Sequence, residues 1–101
     1  MIKHIVTWRL KDLAHGHDKP TNARLIQQKL ESLRGRIPGL LAIEVGIDIS
    51  ATPNSADVVL YSEFEGPQAL AAYQAHPLHQ EVAQFVAEAQ NERRVVDYEV
   101  G

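Results

Sequence analysis

Three side chains able to handle a proton fall within the eight residues Ala72-Tyr73-Gln74-Ala75-His76-Pro77-Leu78-His79: one phenol and two imidazoles. Imidazole changes charge near neutral pH, so this grouping suits general acid–base work. Pro77 lies between the two histidines and fixes where they point. Proline lacks an amide hydrogen and drives the preceding residue out of helical geometry, so one helix is expected to end near His76 and a second to begin at Pro77. His79 then falls in the first turn of that second helix, where free N–H groups and the positive dipole end disfavour an imidazolium. The spacing predicts a neutral His79, ready to accept a proton near pH 7.

The elements that must position these groups follow from periodicity. Ile2, His4, Val6, Trp8 and Leu10 alternate with Lys3, Ile5, Thr7 and Arg9, which is strand spacing. Lys11 to Pro20 is polar and reads as a loop leading to Thr21 or Asn22 as a helix cap, with an amphipathic helix from Thr21 to about Arg34 carried by Leu25, Ile26, Lys29, Leu30 and Leu33. Gly35 and Pro38-Gly39 stop it. Leu41, Ile43, Val45, Ile47 and Ile49 give a second strand with a strongly apolar face, and Asp57 to Phe64 a third, paired with it as a hairpin. Gln68 to Tyr73 forms a short helix before the His-Pro break. Val82, Phe85, Val86 and Ala89 mark the helix after it, and Arg94 to Val100 closes the chain as a strand. Strand, helix, strand, strand, broken helix, strand is the order of an α+β, ferredoxin-like βαββαβ domain with helices on one face of an antiparallel sheet. The whole chain, 1–101, reads as one domain.

Both faces of those strands carry apolar residues: Ile5 and Thr7 lie opposite His4 and Val6, and Val59 and Tyr61 opposite Val58 and Leu60. A chain of 101 residues has no further element to cover the second face, so the expected partner is a second copy, packed sheet to sheet as a homodimer. The formal net charge of -3 gives no electrostatic reason to bind nucleic acid or an anionic membrane. The start Met1-Ile2-Lys3-His4 has no signal-peptide core and no long apolar run follows, so no export signal or membrane span is expected. With no cysteine there is neither a disulfide framework nor thiolate chemistry, and a reducing cytoplasm is the expected location. His4, His76 and His79 could in principle offer three imidazoles to zinc, but a His-Pro-x-His pair straddling a helix break lacks the i, i+4 geometry of helical zinc sites. No metal site and no cofactor is expected. His15-Gly16-His17-Asp18 reads as a solvated loop able at most to pick up metal adventitiously.

Met1-Ile2-Lys3-His4-Ile5-Val6, Ile37-Pro38-Gly39, Ser62-Glu63-Phe64, Tyr73-x-x-His76-Pro77-x-His79 and Val96-Asp97-Tyr98 occur in that order over nearly the whole chain. Together they resemble the stress-responsive dimeric α/β-barrel family, Dabb. The resemblance implies a ferredoxin-like subunit and a homodimer whose sheets close a barrel. It also implies cofactor-free chemistry of the kind by which a plant member closes a linear polyketide to olivetolic acid, using a histidine base of the His-Pro-x-His motif, a tyrosine before it and a histidine of the first strand. Those positions are His79, Tyr73 and His4 here, and Leu30 stands where that member has a pocket tyrosine.

Two readings follow. In one, a helix-side pocket with His79, Tyr73 and His4 as catalytic groups, and Val6, Trp8, Leu30, His76, Val82 and Phe85 as substrate-binding walls, performs cyclase- or lyase-like proton transfer on a small carbonyl or polyketide-like molecule. In the other, the protein is a stable, stress-associated dimer without turnover. His76 then caps the second helix, Trp8 and Tyr73 are core, and Asp97 bonds a histidine or only backbone. A cavity of ~300 Å³ or more beside His79 favours the first reading and close packing the second.

Overall fold

The computed structural model describes all 101 residues. The chain runs β1 (Ile2–Leu10), β2 (Leu13–Ala14), β3 (His17–Asp18), α1 (Lys19–Glu31), β4 (Leu40–Ile47), β5 (Val58–Phe64), α2 (Pro67–Ala75), α3 (Pro77–Ala89) and β6 (Gln90–Glu99). The four long strands form one antiparallel sheet in the order β4-β5-β1-β6. This is the expected ferredoxin-like α+β fold. No helix is long and apolar enough to cross a membrane.

β1 is an interior strand, and its burial alternates without a slip from Ile2 to Leu10. The buried set, including His4, Val6 and Trp8, turns toward the helices, because successive side chains of a strand point to opposite faces. There it meets Leu60 and Phe64 of β5, Ile26 and Leu30 of α1, Tyr73 of α2, and Val82 and Val86 of α3 in one core. Residues paired across neighbouring strands share a face. Thus Ile5, Tyr61 and Val96 are in register on the opposite side, with Val59 next to them. Val59, Val96 and Tyr98 are exposed there, so the helices leave one apolar sheet face uncovered.

Several boundaries differ from expectation, each for a local reason. The stretch read as a loop contains the small β2–β3 hairpin, whose two-residue turn His15-Gly16 takes φ of 55° and 75°, the geometry that matches strand twist. Asp18, not Thr21 or Asn22, caps α1, accepting from the Thr21 amide at 2.9 Å. Asn22 is instead buried one turn inside and donates to the carbonyls of Ala14 and His17, fastening hairpin to helix. Lys29 does not join the buried stripe of α1; its ammonium lies over the Phe85 ring at 4.7 Å. A bulge between Leu40 and Ala42 puts Leu41 out of phase, and β4 ends at Ile47, which leaves Ile49 97% exposed. β6 begins four residues earlier than its valines suggest, because Gln90 both ends α3 and pairs with Leu10.

Gly39 has φ +83° at the start of β4, and a Cβ there would lie 2.6 Å from Cβ of Ala69 in α2. Gly35, with φ +75°, has open space around it. Gly35→Ala therefore carries only left-handed strain, about 1–2 kcal/mol, whereas Gly39→Ala adds a clash with the helix that holds Tyr73. Urea unfolding is expected to rank Gly39→Ala clearly below Gly35→Ala in stability; equal losses would contradict this packing.

Candidate functional site

His4 and His79 come together from opposite ends of the chain. His4 is buried beneath the helices, and its Nδ1 bonds the Asp97 carboxylate directly across the β1–β6 register. A carboxylate so placed accepts, so Nδ1 carries a proton and Nε2 takes no part in this contact. Ser62 Oγ donates to the His4 carbonyl at 2.8 Å and ties this residue to β5 as well.

The helix break forms as the sequence predicts. His76 ends α2 with extended φ, ψ of -68°, 134°, and Pro77 opens α3. The Leu78 amide donates to His76 Nδ1 at 3.1 Å. His76 is therefore the cap of α3, a contact worth about 1 kcal/mol in comparable helices, and does not border the cavity described below. His79 follows on the first turn, half-buried, with its ring 4.2 Å from the Tyr73 ring, centroid to centroid. Its Nδ1 lies 3.4 Å from the Gln74 carbonyl, which can only accept, so the proton sits on Nδ1 and the lone pair on Nε2. Burial lowers the His79 pKa from its ordinary value of 6.5, the Gln74 carbonyl pulls it back up, and positive charge on Arg93, or on His4 or His76 when either ring is protonated, lowers it further. The neutral imidazole expected from the helix end is thus held neutral chiefly by desolvation.

Tyr73 is wholly buried, packed on Phe64 at 4.8 Å as well as on His79, and its hydroxyl has no protein partner. Burial pushes the phenol well up, so it remains protonated. Trp8 is the other buried aromatic with an unpaired donor, its indole Nε1.

Between the sheet and α1 and α3 lies a cavity of about 80 Å³. His4, Val6 and Trp8 of β1 form its floor with Leu60, and Leu30, His79, Ala83 and Val86 its helical wall. Gln90 and Arg93 of β6 complete it. On the helix side of β6, Arg93, Val95 and Asp97 remain exposed, so the cavity opens along that strand. A more open groove of about 370 Å³ between α2 and the end of β6 has Ile2, Leu70, Gln74 and Asp97 on its walls, and Asp97 is linked to the small cavity only through its bond to His4. The largest cavity, about 510 Å³, is a polar cleft around Arg9, Lys19 and Asp57 at the far end of β1. No group of three His, Asp or Glu side chains is arranged to hold a metal ion.

The model of the stress-responsive A/B barrel domain, Dabb, matches residues 2–100. The chain belongs to the Dabb family. Among solved structures, a dimeric protein of unknown function and ferredoxin-like fold from Bacteroides fragilis is 31% identical, with 98% of this chain and 95% of that one covered and a TM-score of 0.84. A dimeric ferredoxin-like protein of unknown function from Thermobifida fusca is 24% identical over 98% and 90% of the two chains, TM-score 0.85. The hydroxynitrile lyase of Passiflora edulis shares the fold at 17% identity, covering 99% and 93%, TM-score 0.80. A search of curated proteins finds no match.

Of the residues singled out in this Dabb chain, His4, Val6, Trp8, Leu30 and His79 border the small cavity. Four others do not. Tyr73 packs behind His79, His76 caps α3, Val82 faces the core, and Phe85 stacks on His15 at 3.9 Å. His15 is exposed at the hairpin turn as a loop residue would be, but its ring is engaged: it also reaches the Phe85 carbonyl and Glu88. Arg93 and Gln90 precede the valine-rich run from which the last strand is legible in the sequence, so composition does not bring them to the site. Counting back by twos from Asp97 along β6 puts Arg93 on the same face.

The lowered pKa of His79 sets a sign for stability against pH. The unfolded chain binds a proton at this site more readily, so the contribution of neutral His79 is present above pH 6.5 and is lost as pH falls from there to the lower folded value. Urea unfolding between pH 7.5 and 5 is expected to show a steeper loss of stability in the wild type than in His79→Gln. Parallel slopes would mean that His79 titrates alike in both states.

Proposed function

We propose that this Dabb protein is a homodimer, joined through the open sheet face, that binds a small carbonyl compound in the helix-side cavity and moves a proton on it by side-chain acid–base chemistry. The observation that carries the reading is that one small cavity is bordered by two imidazoles whose Nδ1 atoms are both engaged, which leaves two Nε2 positions for a reactant. His79, neutral, removes a proton alpha to the carbonyl, and the electron pair moves to oxygen as an enolate. Asp97 stabilises positive charge on His4 when that ring takes up a proton, the arrangement in which a carboxylate orients a working imidazole. Tyr73 holds the His79 ring in place. This chemistry asks for no cofactor. Desolvation in the cavity strengthens these interactions, as for any charge developing away from water.

The exposed Val59, Val96 and Tyr98, on the same face as Ile5 and Tyr61, support the dimer, since an isologous contact covers the same apolar patch on both copies. The dimeric state of the Bacteroides fragilis and Thermobifida fusca proteins supports it too.

The cavity volume favours a second reading, a stable dimer without turnover. About 80 Å³ is well short of the ~300 Å³ of an ordinary ligand pocket, so it admits only the reacting end of a molecule. Hydrogen–deuterium exchange alpha to the carbonyl, followed by proton NMR in D₂O over a panel of short enolisable ketones and oxo acids, separates the two. The wild type is expected to catalyse exchange and His79→Ala to lose it by about 10²- to 10⁴-fold, with light scattering giving a dimer for both. Exchange no faster with wild type than with His79→Ala leaves the non-catalytic dimer, and a monomer at micromolar concentration removes the sheet-to-sheet interface.

A further inference from the structure

The cavity holds two groups that the acid–base reading does not use. Trp8 is 5% exposed, borders the cavity, and its indole N–H has no acceptor anywhere in the protein. Buried donors are almost always paired, and an indole N–H can only donate. The second group is Arg93, in register with Trp8 on the neighbouring strand and on the same side of the sheet. The nearby arginines are spoken for: Arg94 pairs with Glu92 at 2.7 Å and Arg9 with the same carboxylate at 3.6 Å. Arg93 has no carboxylate partner, yet its guanidinium carries five donors suited to a carboxylate. It is the one formal charge on the cavity wall. By contrast, the cations of the larger polar cleft are already engaged, Lys19 with Asp12 and Asp57, Lys11 with the Glu88 carbonyl.

We propose that the ligand of this cavity is a short oxo carboxylate, with its carbonyl oxygen accepting from Trp8 Nε1 at the floor and its carboxylate held by Arg93 at the mouth. The assignment rests on the helix-side cavity being the binding site. It divides the ligand as the space divides: the enclosed 80 Å³ takes the carbonyl end, and the charged end stays at the exposed strand. Trp8 thereby faces the oxygen on which negative charge develops when a neighbouring carbon loses its proton, so it binds the enolate more strongly than the ketone. Exclusion works the same way. An uncharged ketone leaves the exposed Arg93 to water and gains nothing from it, and a hydrocarbon leaves the buried indole unpaired as well.

Trp8 is the sole tryptophan, so a proton–nitrogen correlation spectrum contains one indole signal and reports this contact directly. Titration of the full-length protein with pyruvate, acetoacetate and levulinate, each against its methyl ester, is the test. At least one acid is expected to move the indole proton downfield and to bind about tenfold tighter than its ester, the size of one charge-assisted contact. Arg93→Gln, at an exposed position, is expected to bring acid and ester to equal affinity, and Trp8→Phe to weaken both. An indole signal that stays fixed while the His4 and His79 ring signals shift, or esters that bind as well as acids, overturns the assignment but keeps the cavity as a site. If neither indole nor imidazole signals respond to any of the six compounds, the cavity reading fails with it.

Discussion

The two-residue period of β1 is the constraint from which the site follows. Because the strand runs without a bulge from Ile2 to Arg9 in register with β6, His4 and Trp8 are committed to one face, together with their cross-strand neighbours Asp97 and Arg93. A slip of β1 by one residue would turn His4 and Trp8 to the other side of the sheet and part them from Asp97 and Arg93. The same pleat that buries Val6 beneath the helices therefore assembles a carboxylate–imidazole pair, an unpaired indole donor and a free guanidinium without any dedicated loop. Core formation and site formation are one event on this strand.

The helix break supplies the rest. Pro77 ends one helix and begins the next, and His76 stabilises the new one by capping it, so the direction of His79 is set by backbone geometry and not by its own contacts alone. Tyr73, on the preceding helix, fills the space behind the ring. The electrostatics agree with this packing. Desolvation, aided by neighbouring positive groups, keeps His79 neutral, and desolvation also keeps Tyr73 protonated. Two groups that would compete for a proton in water are pushed apart, one toward accepting and one toward keeping.

The fold was legible because its strongest signals are periodic: strict alternation in β1, and helical spacing around Leu30 and Val86. What failed was local. Asp18 as a cap, the two-residue hairpin turn at His15-Gly16 and the bulge at Leu41 each depend on one or two residues in a particular backbone conformation, and no period announces them. At the site, the convergence of His4 with His79 followed from fold and helix break together. The displacement of Phe85 and Val82 from the cavity did not, because both lie on the apolar stripe of α3 and only the position of α1 and the small hairpin decides which neighbour each meets. His15 claims Phe85 from a segment that composition marked as solvated. Arg93 lies ahead of the valine-rich run that marks the last strand, and only the β1–β6 register places it at the mouth of the cavity.

The central claim is a statement about protons: His4 and His79 both carry theirs on Nδ1 and offer Nε2 to the same cavity, whereas His76, which accepts the Leu78 amide, carries its proton on Nε2. Long-range proton–nitrogen correlation on uniformly ¹⁵N-labelled protein at pH 7.5 reads each tautomer from the two ring nitrogen shifts. The account predicts the Nδ1–H form for His4 and His79 and the Nε2–H form for His76. Finding His79 in the Nε2–H form, or charged at that pH, would contradict it.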